Sequence, residues 1–145
     1  MTQALELIAV IACTVFAGAA LYITAVEHPA RLSCGTEIAF AQWAPSYRRA
    51  TVMQVPLAAI AVVSGAIRGL MGGGPLWISA AAIILAVIPF TLIVILPTNH
   101  RLLDPRRDPR SGETRQLLER WGRLHSVRTV LSLIASLLFV WLVIR

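Results

Sequence analysis

The chain has 145 residues, 57% of them apolar and only 14% charged, with a mean hydropathy of +0.74 and a formal net charge of +6. That balance excludes an ordinary soluble domain of this length and makes the lipid bilayer the natural solvent. The positive charge does not indicate a nucleic acid partner, because the arginines flank apolar runs and no folded basic domain is left to carry them.

Four apolar runs approach or exceed the length of about 20 residues that a membrane-spanning helix needs, at residues 5–26, 52–71, 76–96 and 127–144. No Lys or Arg precedes the first run, and it is longer than a signal-peptide core, so it reads as a retained helix over about 5–27. At its far end, Thr24, Glu27, His28 and Arg31 fall on neighbouring positions of one helical face. Pro29 disfavours helical geometry at His28 and is expected to kink or end the helix there. The following connection, up to Arg49, carries Trp43, Tyr47, Arg48 and Arg49, a composition suited to a membrane interface.

The second helix is expected over about 47–71, with Thr51 and Gln54 near its start and Pro56 inside it. Gln54 needs a polar partner or a water cavity at that depth. Ala61, Gly65 and Gly69 form a row of small residues that lets a neighbouring helix approach, either within the chain or from a second copy in a homo-oligomer. Residues 69–75 form a glycine-rich turn, and without a preceding strand it is not a phosphate cradle. The third helix, about 76–97, contains Pro89 and Thr91 and leads into Thr98, Asn99 and His100. Prolines and glycine over 104–112 mark a loop. The last helix, about 114–144, starts outside the membrane and carries Trp121, His125, Arg128 and Ser132 on one face, four, three and four residues apart.

These elements predict an all-α protein: one four-helix transmembrane bundle over 1–145, built of two hairpins, with the last helix extended into the cytoplasm. Arginines crowd the connections around 27–49 and 98–123, so the positive-inside rule places both connections in the cytoplasm and both termini outside. Cys13 and Cys34 are too far apart in depth, and in the wrong compartment, for a disulfide. The ionisable and polar groups gather at the cytoplasmic ends, where the hairpins bring all four helices together, and such groups usually face a bundle interior.

Three chemistries fit that gathering. His125 or His28 can serve as a general base tuned by Glu27 and the arginines, with Trp121, Trp43 and Tyr47 shaping an aromatic pocket. His28, His125 and Glu27 can ligate a metal, or the two histidines a haem, although no HxxxH or ExxH spacing supports it. Alternatively the arginine rim binds anionic headgroups, with Glu27 pairing Arg31 or Arg128 to hold helices together. A cofactor-free, a metal and a haem protein are therefore all open, as is a non-enzymatic protein binding haem, metal or lipid in the same pocket. A transporter fits less well, since four helices leave little room for alternating access.

The segments Val26-Glu27-His28-Pro29-Ala30-Arg31-Leu32, Trp43-Ala44-Pro45-Ser46-Tyr47-Arg48-Arg49, Pro97-Thr98-Asn99 and Glu119 to Thr129 resemble the bacterial branch of the anthrone-oxygenase-like membrane family. The resemblance covers nearly the whole chain. It implies a small four-helix protein of the bacterial inner membrane, with oxidation of a hydrophobic anthrone- or quinone-like molecule as its activity. The family's polar motifs correspond to Glu27, His28, Arg31, Trp43, Tyr47, Arg48, Asn99, Trp121, His125 and Arg128, to which the reading by depth adds Gln54. On that reading His125 is the base, with His28 and Glu27 beside it. Arg128 or Arg31 stabilises negative charge, and the remaining residues bind substrate. The sharpest spatial expectation is that His28 and His125 lie near one another.

Overall fold

Four long helices make up the computed structural model, which describes residues 2–145: α1 Thr2–Ser33, α2 Thr36–Gly73, α3 Pro75–Leu102 and α4 Gly112–Ile144. Each is long and apolar enough to cross a membrane, and no strand occurs among the described residues, as expected for an all-α multi-pass membrane protein. Contacts run between consecutive helices and from α4 back to α1, closing a ring. Depth pairs descend in opposite order along the partners: Thr14 meets Ser136 while His28 meets Leu118, and Glu6 meets Arg68 while Glu27 meets Ser46. The bundle is therefore antiparallel throughout. It has a terminal end and, opposite it, a polar end carrying the 34–35 and 103–111 connections.

Burial is inverted relative to a soluble protein. Leu70, Ile93, Leu137 and Ile144 are exposed, whereas His28, Arg31, Gln54, Asn99, His125 and Ser132 are buried. Lipid solvates the former, and the bundle must satisfy the latter. Toward the terminal end the core is made of small residues with a few large ones, including Ala9, Ala61, Trp77, Ile84 and Phe139. Gly65 sits in that core because a Cβ there would come within 2.6 Å of the Phe139 ring. The small-residue row thus serves packing inside this chain. Arg68 closes the same end, bonding Glu6 and lying 5.6 Å over the Trp77 ring.

Three of the four helices run further at the polar end than the proline-based boundaries allow. α1 continues through Pro29 to Ser33, α3 through Pro97 to Leu102, and α2 begins at Thr36, so that Trp43, Pro45 and Tyr47 are helical rather than part of a connection. The link between α1 and α2 is only Cys34-Gly35, and Gly35 takes φ 90°, which a side chain would resist. Two of these continuations share a device. The five-residue π turns Ile23–Glu27 and Thr91–Ile95 each end two residues before a proline. There the N–H of His28 reaches Ile23 O, and that of Leu96 reaches Thr91 O, five residues back. The proline's missing donor and its clash with the carbonyl four back are absorbed by one widened turn instead of a break.

The 103–111 loop is pinned to the helices by arginines. Arg110 holds Glu37 of α2 with two bonds of 2.8 and 3.1 Å, and Ser111 caps α4 by accepting from the Thr114 N–H. Asp104 accepts from the Arg106 N–H at 3.0 Å, which holds its carboxyl below the usual carboxylate range.

Candidate functional site

The widened turn in α1 does more than accommodate Pro29, because Thr24 and Glu27 lie within it. Thr24 Oγ1 is 3.0 Å from His125 Nδ1 and 2.8 Å from Thr129 Oγ1, and Thr129 Oγ1 donates to Ala20 O at 3.1 Å. Each hydroxyl has one proton to donate. With the Thr129 proton directed to a carbonyl and the Thr24 proton to Thr129, His125 Nδ1–H donates to Thr24; the reverse chain, from Thr129 through Thr24 to Nδ1, fits the same distances. In the first arrangement a neutral His125 carries its proton on Nδ1 and presents the Nε2 lone pair, and in either arrangement Nε2 has no partner among the described residues. That ring lines a small pocket with Trp121, Tyr47, Gln54, Arg31 and Arg128.

Arg128 is held by Gln54 Oε1 at 2.9 Å and lies over the Phe16 ring at 5.7 Å. Its Nε and the Gln54 Nε2 are buried without acceptors. Among the described residues no carboxylate pairs with this guanidinium. Glu27 is engaged instead by Arg31, Ser46 and Gln42. So one arginine of the pocket is neutralised and the other is not, and an unpaired cation next to a hydrophobic core favours an anionic or strongly accepting guest.

An aromatic cluster forms the back of the pocket. Trp121 stacks on His125 with centroids 4.8 Å apart and contacts His28 at 5.0 Å, so both histidines pack on the same indole, as their proximity expectation required. Trp43 meets Trp121 edge-on at 5.7 Å and lies parallel to Tyr47 at 5.1 Å. Trp43 is completely buried, so it is not an interface anchor. Gly122 makes room for His28: a Cβ there would lie 2.7 Å from His28 Nε2. That nitrogen faces Leu118 O at 2.9 Å, and since a carbonyl only accepts, it carries the proton.

Of the residues singled out in the sequence, His125, Arg128, Arg31, Tyr47, Gln54 and Trp121 line this pocket. His28, Glu27 and Trp43 stand behind it as supports. Arg48 is exposed, and Asn99, although wholly buried with no side-chain partner, does not line the pocket. The ligand set His28, His125 and Glu27 does not form a metal centre, and no three His, Cys, Asp or Glu side chains among the described residues are placed to do so. Glu27 is engaged by its three partners and His28 Nε2 by Leu118 O, while His28 Nδ1 is buried with no partner among the described residues. A haem between the histidines does not fit either, since the pocket measures about 20 Å³, room for a water rather than a macrocycle. Sequence reasoning missed Ser46, which accepts from Arg31 and donates to Glu27. It also missed the role of Thr129, although its position four residues beyond His125 could have shown it.

The anthrone oxygenase family profile matches residues 43–138. The chain belongs to the anthrone oxygenase family. Anthrone oxygenase tpcL of Aspergillus fumigatus is 38% identical over 77 residues, which is 51% of this chain and 48% of the relative. The chain thus aligns with about half the length of that curated relative. No solved structure matches. The family region includes Trp43, Tyr47, Gln54, Trp121, His125 and Arg128, whereas Thr24, Glu27, His28 and Arg31 of α1 precede it.

Proposed function

We propose that this anthrone oxygenase family member oxidises a hydrophobic aromatic molecule of the anthrone type at the polar end of its bundle, with His125 as general base and Arg128 as the group that stabilises negative charge. The observation that carries the proposal is the open Nε2 of His125 in a pocket shared with an unneutralised guanidinium. An anthrone has an acidic CH₂ conjugated to a carbonyl. Its proton passes to His125 Nε2, and the charge left behind spreads onto the carbonyl oxygen, where Arg128 and Gln54 offer donors.

Molecular oxygen then adds to the electron-rich carbon. The resulting peroxide anion takes a proton back from His125 and loses water to give a second carbonyl. Anthrone plus O₂ becomes anthraquinone plus water, and His125 is regenerated. Tyr47 supplies a flat wall for such rings, and Trp121 backs the His125 imidazole. The arginine distribution supports a bacterial inner-membrane location, with the polar end in the cytoplasm and the termini outside.

The test is oxygen uptake and quinone absorbance with an anthrone, using protein purified into lipid nanodiscs. His125→Ala is expected to lose about 10²- to 10⁴-fold in turnover while keeping the helical fold, read from its circular dichroism. Turnover unaffected by that substitution would remove His125 from the chemistry. Saturable anthrone binding with no turnover in the wild type would instead establish a non-enzymatic carrier.

A further inference from the structure

A pocket of about 20 Å³ beside His125 cannot hold a polycyclic ring system. The rest of the substrate needs another compartment, and the bundle provides one. A second cavity of about 200 Å³ lies between the polar-end halves of α2 and α3, and the two cavities share Tyr47, Thr51, Gln54 and Arg128 as a common wall. Away from that wall the lining is apolar, with Phe16 and Ala58 at the base and Val55, Ile88 and Leu92 at the mouth. Val55 is 60% exposed and Leu92 58% exposed, so the mouth opens into lipid rather than water.

The opening has a physical origin. Nearer the terminal end α2 and α3 are in tight contact, and a Cβ on Gly69 would come within 2.5 Å of Ile78. Toward the polar end Pro89 and the widened turn Thr91–Ile95 interrupt α3, while Pro56 interrupts the hydrogen-bond ladder of α2 opposite. The cleft lies where α3 is widened and α2 lacks one backbone donor.

We propose that the substrate enters sideways from the bilayer and is held in this cleft, its ring system between α2 and α3 and one oxygen on Arg128 and Gln54, facing His125. This inference rests on the proposed function for the identity of the guest but not for its existence. The ligand class is a flat, membrane-soluble aromatic with a phenolate, enolate or carbonyl oxygen at one edge. Both halves of that description come from the walls. The apolar lining excludes a water-soluble anion, and the unpaired Nε of Arg128 and Nε2 of Gln54 require an acceptor. The larger groove between α1 and α2 fits less well, since Glu27 and Arg49 line it and Glu27 presents negative charge to such an oxygen.

The probe is 1,8-dihydroxyanthraquinone partitioned into phosphatidylcholine nanodiscs that contain the full chain, with binding read from its visible absorbance. Wild type should bind saturably. Leu92→Phe at the mouth and Ala58→Leu at the base should each weaken binding by about tenfold, the scale of a methylene-sized misfit in an apolar pocket. Met53→Phe in the α1–α2 groove and Val63→Phe on the lipid face should bind as wild type. Leu92 faces lipid, so its variant is expected to fold even where Ala58→Leu does not.

No saturable binding, or weakening by Met53→Phe with Leu92→Phe silent, overturns the cleft. Failure of the enzymatic reading is distinguishable: binding that depends on Leu92, with no oxygen uptake in the wild type, leaves the cleft standing and removes the oxygenase. Oxygen uptake indifferent to Leu92→Phe and Ala58→Leu does the reverse.

Discussion

One proton on the Thr24 hydroxyl decides which nitrogen of His125 is free. If Thr24 becomes Val, the shape is kept but Nδ1–H loses its acceptor, and nothing then holds the proton away from Nε2. Thr24→Val should therefore forfeit much of the roughly hundredfold or greater contribution of a general base, with binding of the aromatic probe unchanged, while Thr24→Ser restores turnover. Imidazole ¹⁵N shifts provide a readout that mere packing would not move. Wild type should show a protonated Nδ1 and an unprotonated Nε2 for His125, and Thr24→Val should shift the mixture toward the other tautomer. An unchanged tautomer in Thr24→Val would dismiss the hydroxyl relay. The face made by Trp121, His125 and Arg128 was legible from spacing alone, because a continuous helix obeys its period. The separation of histidine roles was not, since it depends on Leu118 O and Gly122, whose importance to His28 arises only when α1 packs on α4.

At the scale of helices, the prolines were the least legible feature. A proline in a sequence signals an end or a kink, yet Pro29 and Pro97 are each preceded by a widened turn that lets the helix continue. Tertiary packing chose that solution: the continuation of α1 carries Arg31 into the pocket, and Arg115 of α4 bonds its Leu32 carbonyl at 2.8 Å. Replacing Pro29 by Ala restores the N–H that can bond Ala25 O, so the widened turn can close to an ordinary one. Stability should hold or rise, by up to about 3 kcal/mol given what an interior proline costs a helix. Activity should fall, because closing the turn rotates Thr24 and Glu27 away from His125 and Ser46. Thermal unfolding and oxygen uptake measured together check this, and a Pro29→Ala protein with full turnover would show that the widened turn is incidental to function.

For the molecule as a whole, hydropathy and charge were the most legible level, because four apolar runs in 145 residues leave few ways to satisfy the backbone in lipid. The site gathers at one end for a related reason. Polar side chains are tolerated where lipid meets water, and an antiparallel ring brings every such end of the same side together. Orientation is then a matter of arginines, and the chain supplies its own reporter. Cys34 is exposed in the link between α1 and α2 at the polar end, whereas Cys13 is buried in the apolar core. A membrane-impermeant maleimide should therefore label the protein in inverted inner-membrane vesicles and not in intact spheroplasts, and Cys34→Ser should abolish the signal. Labelling from the outside would reverse the topology and carry the pocket with it to the outer face. It would leave the cleft between α2 and α3 in place, since a guest arriving through lipid can reach His125 from a bilayer of either orientation.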